Sequence, residues 1–169
     1  MSIRKQIFSV IICLFVLSSC NIIADYQQDS FYRNGSEWDH LRFPLIKPYY
    51  ATYAENGHGW NVNLEEGALK IGSQYIFTIE HIQRIAVEKG VLMIYSSIQN
   101  SFDGNIEGKS PHWYVIIPEQ NIQIGFGEES EFLTYIQQRS IQGPTWREPN
   151  DILHEYDRTK CLAWIPDCK

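Results

Sequence analysis

From Tyr49 onward the chain carries short apolar runs separated by turn residues, the signature of successive strands. Tyr49–Ala54 is a predicted strand, Gly57-His58-Gly59 interrupts it, and Gly59–Leu64 is a second. Residues 65–73 hold Gly67 and Gly72 and predict only a short, irregular strand. Tyr75–Ile79 and Ile82–Val87 are rich in β-branched and aromatic residues. Glu88-Lys89-Gly90 ends on glycine, as a tight hairpin with a left-handed residue requires, and Val91–Ser96 returns. Both faces of 82–87 and 91–95 are apolar, so these are expected to be central strands covered on both sides. His112–Ile117 is another strand, and Pro118-Glu119-Gln120 turns it. Ile122, Ile124 and Phe126 then alternate with Gln123 and Gly125, which predicts a strand with one wet face.

The period changes after Gly127. In EESEFLTYIQQR, Phe132, Leu133 and Ile136 fall on one helical face, with acids at the start and Arg139 near the end, as the helix dipole favours. Gly143-Pro144 closes that region. Asn150 is placed to cap a second helix whose buried stripe is Ile152, Leu153 and Tyr156. Leu162 and Trp164 close the tail, and RFPLIKPYY (42–50) leads into the first strand. Strands followed by helices, without alternation, predict an α+β fold: an antiparallel β-sheet of about six to seven strands followed by two C-terminal helices packed on one face.

The N-terminus belongs to a different physics. Arg4 and Lys5 precede an apolar run, Ile7–Val16, broken only by Ser9. As a helix it is roughly 15 Å long, short of the ~20 apolar residues that span a bilayer. A positive start, a short apolar run and small residues before a cut describe a secretory signal. Leu17-Ser18-Ser19-Cys20 resembles the bacterial lipobox. The resemblance implies cleavage before Cys20 and attachment of acyl chains, palmitate among them, to it. Two or three chains hold a protein firmly, at ~0.8 kcal/mol per buried methylene. Asn21 in place of an aspartate leans toward the outer membrane. The expected organisation is a signal peptide (1–19), a polar tether (20–40) with Asn34-Gly35-Ser36 as a turn signal, and one domain (41–169).

This address changes the meaning of composition and cysteines. Without residues 1–19 the chain has 12 basic and 20 acidic side chains, a net charge of −8, which disfavours nucleic acid as a partner. Cys13 leaves with the signal and Cys20 takes the lipid. Cys161 and Cys168 then remain in an oxidising compartment and are expected to form a disulfide, with Pro166 and Asp167 turning the tail back. Cys-x6-Cys is poor zinc spacing and is not the Cys-x-x-Cys of an oxidoreductase.

Motifs of catalysis are sparse. The five histidines, His40, His58, His81, His112 and His154, include no His-Glu-x-x-His. After the N-terminal signal segment there is no Gly-x-Ser-x-Gly and no Ser-x-x-Lys. Glu65-Glu66 and Glu128-Glu129 are neighbours whose side chains diverge on a strand. Asp103-Gly104-Asn105-Ile106-Glu107 alternates oxygen ligands but lacks a full calcium loop. No catalytic set, no metal and no cofactor is expected. The loop 97–111, about 15 residues long, exceeds what a hairpin needs and is the first choice for a contact surface, through Phe102, Asp103, Asn105 and Glu107. Of Trp38, Tyr49, Tyr50, Tyr53, Trp60, Trp113 and Trp146, most are expected in the core, and a sugar- or peptide-binding groove is the other use of such a set. The resulting expectation is a lipid-anchored periplasmic or outer-membrane protein that binds another protein, in the manner of an immunity or inhibitor protein. The alternatives are an envelope hydrolase whose site joins distant His and carboxylate residues, such as His58 or His112 with an acid, and a structural accessory of an envelope complex.

Overall fold

The computed structural model describes residues 29–33, 41–55, 57–64, 69–71, 74–97 and 111–168. In chain order these form α1 (Ser30–Arg33), β1 (Arg42–Pro44), β2 (Tyr50–Ala54), β3 (Gly59–Asn63), β4 (Leu69–Ile71), β5 (Gln74–Ile76), β6 (Thr78–Ile79), β7 (Ile82–Glu88), β8 (Val91–Ser96), β9 (Trp113–Ile117), β10 (Ile122–Phe126), α2 (Glu129–Gln137) and α3 (Pro149–Thr159). The protein is α+β, as its pattern predicts, but the described residues form no single sheet of six or seven strands. It has two antiparallel four-stranded sheets, ordered β1-β2-β3-β6 and β10-β9-β8-β7, and a separate β4-β5 ribbon.

The division originates inside the run Tyr75–Ile79, which looks like one strand in sequence. It breaks at the exposed Phe77, so that β5 pairs with β4 while β6 pairs with β3. Two residues later His81 adopts φ 52°, a left-handed corner that strands rarely contain. The chain leaves the first sheet there and enters β7 of the second.

The second sheet is a meander. The β7–β8 hairpin turns on Lys89 (φ 51°) and Gly90 (φ 75°), the pair of left-handed residues a two-residue hairpin needs. Along β8 successive side chains alternate between two cores: Leu92 and Ile94 face the first sheet, Val91 and Met93 the opposite side. Tyr114 and Ile116 of β9 share the first core, Val115 and Ile117 the second. The exposed edge of β7 is closed by reciprocal backbone hydrogen bonds between Ile85 and Arg147, each 2.9 Å.

The helices do not share a face. Phe132 and Ile136 of α2 fill the second core, whereas Ile152, Leu153 and Tyr156 of α3 fill the first, against β1 and β7. Their stripes are those the sequence predicts; their layers differ because the second sheet is apolar on both sides and takes a cover on each. Strand β10 is half-buried along its whole length rather than divided into a dry and a wet face. Ile122 and Phe126 rest on the α2 side, and on the other side Gln123 donates to the Tyr49 hydroxyl at 2.9 Å. Gly125 is pressed so closely against Pro111 and Leu69 that an added Cβ would lie 2.7 Å from the proline ring.

Two local expectations are also revised. Asn150 is not the N-cap of α3. Glu148 holds that position, Pro149 opens the first turn, and the Asn150 side chain accepts a hydrogen bond from Trp60 Nε1 at 2.8 Å. Residues 29–33, within the stretch expected to be tether, are docked on the domain. Tyr32 is buried, Tyr156 and Tyr50 donate through their hydroxyls to the Tyr32 and Phe31 carbonyls at 2.5 and 3.0 Å, and Lys47 pairs with Asp29 at 2.7 Å. The Lys47 ammonium, with the Phe31 N–H, holds the Asp29 carboxyl below the ordinary carboxylate range.

At the other end Cys161 and Cys168 are disulfide-bonded, with Cα atoms 5.5 Å apart. The tail doubles back through Ile165 N–H to Leu162 O (2.9 Å) and Cys168 N–H to Ile165 O (3.2 Å), with Asp167 left-handed. Trp164 then donates to the Pro44 carbonyl at 3.3 Å, joining the tail to β1.

Candidate metal centre

The corner between the sheets gathers three side chains of metal-binding type. His58 lies on the β2–β3 turn, and Glu80 and His81 on the β6–β7 crossing. One ligand atom from each lies within 4.8 Å of the other two, and all three residues are half-buried. His58 Nδ1 stands 3.1 Å from Glu80 Oε2, and the imidazole rings of His58 and His81 are 5.9 Å apart, tilted by 40°.

Each residue is fixed through its backbone. Gly57 (φ 94°) and Gly59 (φ 61°) flank His58, and an added Cβ at either would meet nothing within 4 Å. Space is therefore free at both positions, and it is the left-handed backbone that calls for glycine. The His81 N–H donates to the His58 carbonyl at 3.1 Å, tying the two histidines directly. The Ser97 N–H donates to the His81 carbonyl at 3.3 Å, and the hydroxyl of Ser96, a fully buried residue, donates to the Glu80 carbonyl at 2.6 Å. Strand β8 thus braces the crossing from the second sheet while the β2–β3 turn braces it from the first.

Chemically, a histidine against a carboxylate can hold a proton at Nδ1, and two imidazoles with a carboxylate can hold a borderline divalent cation. The first is the His–acid juxtaposition anticipated as the alternative role of His58. The sequence did not bring these three residues together as a candidate ligand set. Its traces in sequence are Gly-His-Gly and the neighbouring Glu80-His81, 22 residues apart, and neither has ligand spacing by itself.

The other singled-out residues are placed as follows. His112 Nδ1 lies 2.9 Å from the Ser96 carbonyl, and His154 is exposed on α3. Of the aromatics, Tyr49 and Trp60 are core, Tyr50, Trp113 and Trp146 are half-buried, and Tyr53 is exposed beside Trp60. Cys20, Trp38, His40 and the loop residues Phe102, Asp103, Asn105 and Glu107 lie outside the described residues. A shallow groove of about 500 Å³ lies between β10 and α2, lined by Phe126, Ser130, Glu131, Thr134, Tyr135 and Gln138, none of them from the histidine cluster. Among the described residues no helix is long and apolar enough to cross a membrane.

The chain matches no protein-family model, no curated protein and no solved structure.

Proposed function

We propose that the chain is a bacterial lipoprotein, anchored in the cell envelope through acyl chains on Cys20, whose α+β domain binds another protein. The address is supported by Arg4 and Lys5, the short apolar run and Leu17-Ser18-Ser19-Cys20. Asn21 favours the outer membrane, with the domain facing the periplasm. The Cys161–Cys168 bond agrees with an oxidising compartment.

The observation that carries partner binding is an exposed aromatic pair. Tyr75 is 50% and Phe77 67% exposed, with ring centroids 6.5 Å apart on one side of the β5–β6 run. Aromatic side chains are the residues that anchor protein interfaces, and two together in water are costly without a partner. The loop 97–111 is the second contact element of this reading. An immunity- or inhibitor-like role, in which the anchored acidic domain occludes a toxin or hydrolase, is the form that fits a net charge of −8.

Two measurements test it. Radiolabelled palmitate should enter the wild-type chain and not Cys20→Ser; equal labelling or a wholly soluble protein removes the anchor. A photo-crosslinker at Phe77 in intact envelopes should give one discrete protein adduct, while the same probe at Asp157, exposed on α3, gives none. Equal crosslinking from both positions overturns the partner surface.

A second reading, an envelope hydrolase, is favoured by the 3.1 Å contact between His58 and Glu80. It requires turnover of a cell-wall, ester or peptide substrate that Glu80→Gln abolishes.

A further inference from the structure

We infer that His58, Glu80 and His81 bind one divalent transition-metal ion of the zinc class. The inference goes beyond the anchoring and partner reading and does not depend on it.

The donor set selects the ion. Two imidazole nitrogens and one carboxylate suit zinc, copper or nickel, whereas calcium and magnesium require shells of oxygen. Glu80 supplies one negative charge against the ion, and the histidines supply neutral nitrogen ligands. Three protein ligands leave a fourth tetrahedral position to water, the open type of site.

The geometry is already close. Tetrahedral ligands at the usual zinc distances stand ~3.3 Å from one another. The His58–Glu80 separation of 3.1 Å meets this, and the 4.8 Å limit on the full set requires closure of about 1.5 Å at most by half-buried side chains that can rotate. The backbones need not move, because His81 N–H to His58 O, Ser97 N–H to His81 O and the Ser96 hydroxyl to Glu80 O already fix the three residues relative to one another. Three left-handed residues stand at or beside the ligands, Gly57, Gly59 and His81. Histidine at φ 52° is strained in a way glycine would not be, and its presence at the corner is explained by a use for its side chain. The ion would join the two sheets at the point where the chain passes between them.

The test uses the full chain freed of metal with a chelator, with Zn2+ and Cu2+ as probes. Calorimetric titration should show a single equivalent of Zn2+ bound, and the thermal midpoint should rise on its addition. His58→Ala, His81→Ala and Glu80→Gln should each weaken Zn2+ binding by at least the ~10–100-fold that loss of a mere outer-sphere partner costs. His154→Ala should bind as the wild type does. Bound Cu2+ should show two nitrogen couplings by electron paramagnetic resonance, and one in either histidine variant that retains the wild-type circular dichroism. Should both histidine variants lose the fold, the Cu2+ spectrum of the wild type and the Zn2+ affinity of Glu80→Gln decide the matter. No Zn2+ binding, a wild-type spectrum without two nitrogens, or unchanged affinity in Glu80→Gln and the folded histidine variants overturns the assignment.

Discussion

The indole N–H of Trp60 donates to the Asn150 side-chain oxygen at 2.8 Å, so that β3 holds the first turn of α3 across 90 residues of sequence. Trp60 is buried, and its polar atom has been withdrawn from bulk water to make this bond. Asn150→Ala should therefore destabilise the fold by ~1 kcal/mol. Asn150→Asp should cost less, since it keeps the acceptor and adds a negative charge at a helix N-terminus. Urea midpoints followed by tryptophan fluorescence give the comparison; equal losses in both variants would refute the bond's role.

Tyr156 makes the corresponding link to the N-terminal segment. Its hydroxyl donates to the Tyr32 carbonyl, and both residues are buried. Tyr156→Phe should cost ~1–3 kcal/mol, since it leaves a buried acceptor. It should also accelerate proteolysis within residues 29–33 before the rest of the domain is cut. Limited proteolysis with mass spectrometry reads this directly, and unchanged cleavage order would show that other contacts suffice to hold α1.

Loss of the tail disulfide acts chiefly on the unfolded chain. Replacing Cys161 and Cys168 together by serine should destabilise by about 2.5 kcal/mol in the chain-entropy model and lower the melting temperature by roughly 5–10 °C. Reduction of the wild type should reproduce the effect, and a midpoint indifferent to reductant would contradict it.

Tyr114 supplies a pH dependence. Burial alone pushes its phenol well above the ordinary value, and its hydroxyl donates to the Pro111 carbonyl at 2.8 Å. A group whose folded pKa exceeds its unfolded value stabilises fully below the unfolded pKa and loses that contribution as pH rises through the folded one. Stability should thus fall as pH climbs past ~10. Tyr114→Phe should show a shallower decline over the same range, in urea midpoints measured from about pH 8 to about pH 11. Parallel curves for the two proteins would exclude Tyr114 as the source.

Local chemistry was legible in this sequence, and choice of partner was not. Lys89-Gly90 announces its hairpin because a two-residue turn is decided by backbone conformations that few residues adopt. The stripes of α2 and α3 were readable because amphipathic period says which side is buried. It does not say against which layer, and the helices proved to lie on opposite sides of the second sheet. The run Tyr75–Ile79 read as one strand because alternation is the same whether a strand keeps one neighbour or exchanges it midway. The cluster of His58, Glu80 and His81 was invisible for the same reason: it is made by the exchange of sheets at the corner, not by any spacing along the chain.

The docking of Asp29–Arg33 sets the length of a leash. For a chain held at Cys20, as proposed, the nine Cα–Cα steps from the anchor to Asp29 would reach at most ~30 Å. With residues 29–33 released, the 21 Cα–Cα steps from Cys20 to Leu41 would set an upper limit of about 70 Å. In the proposed lipid-anchored protein, the contacts of Asp29, Phe31 and Tyr32 with Lys47, Tyr50 and Tyr156 would together set how deep a layer above the membrane the domain can search.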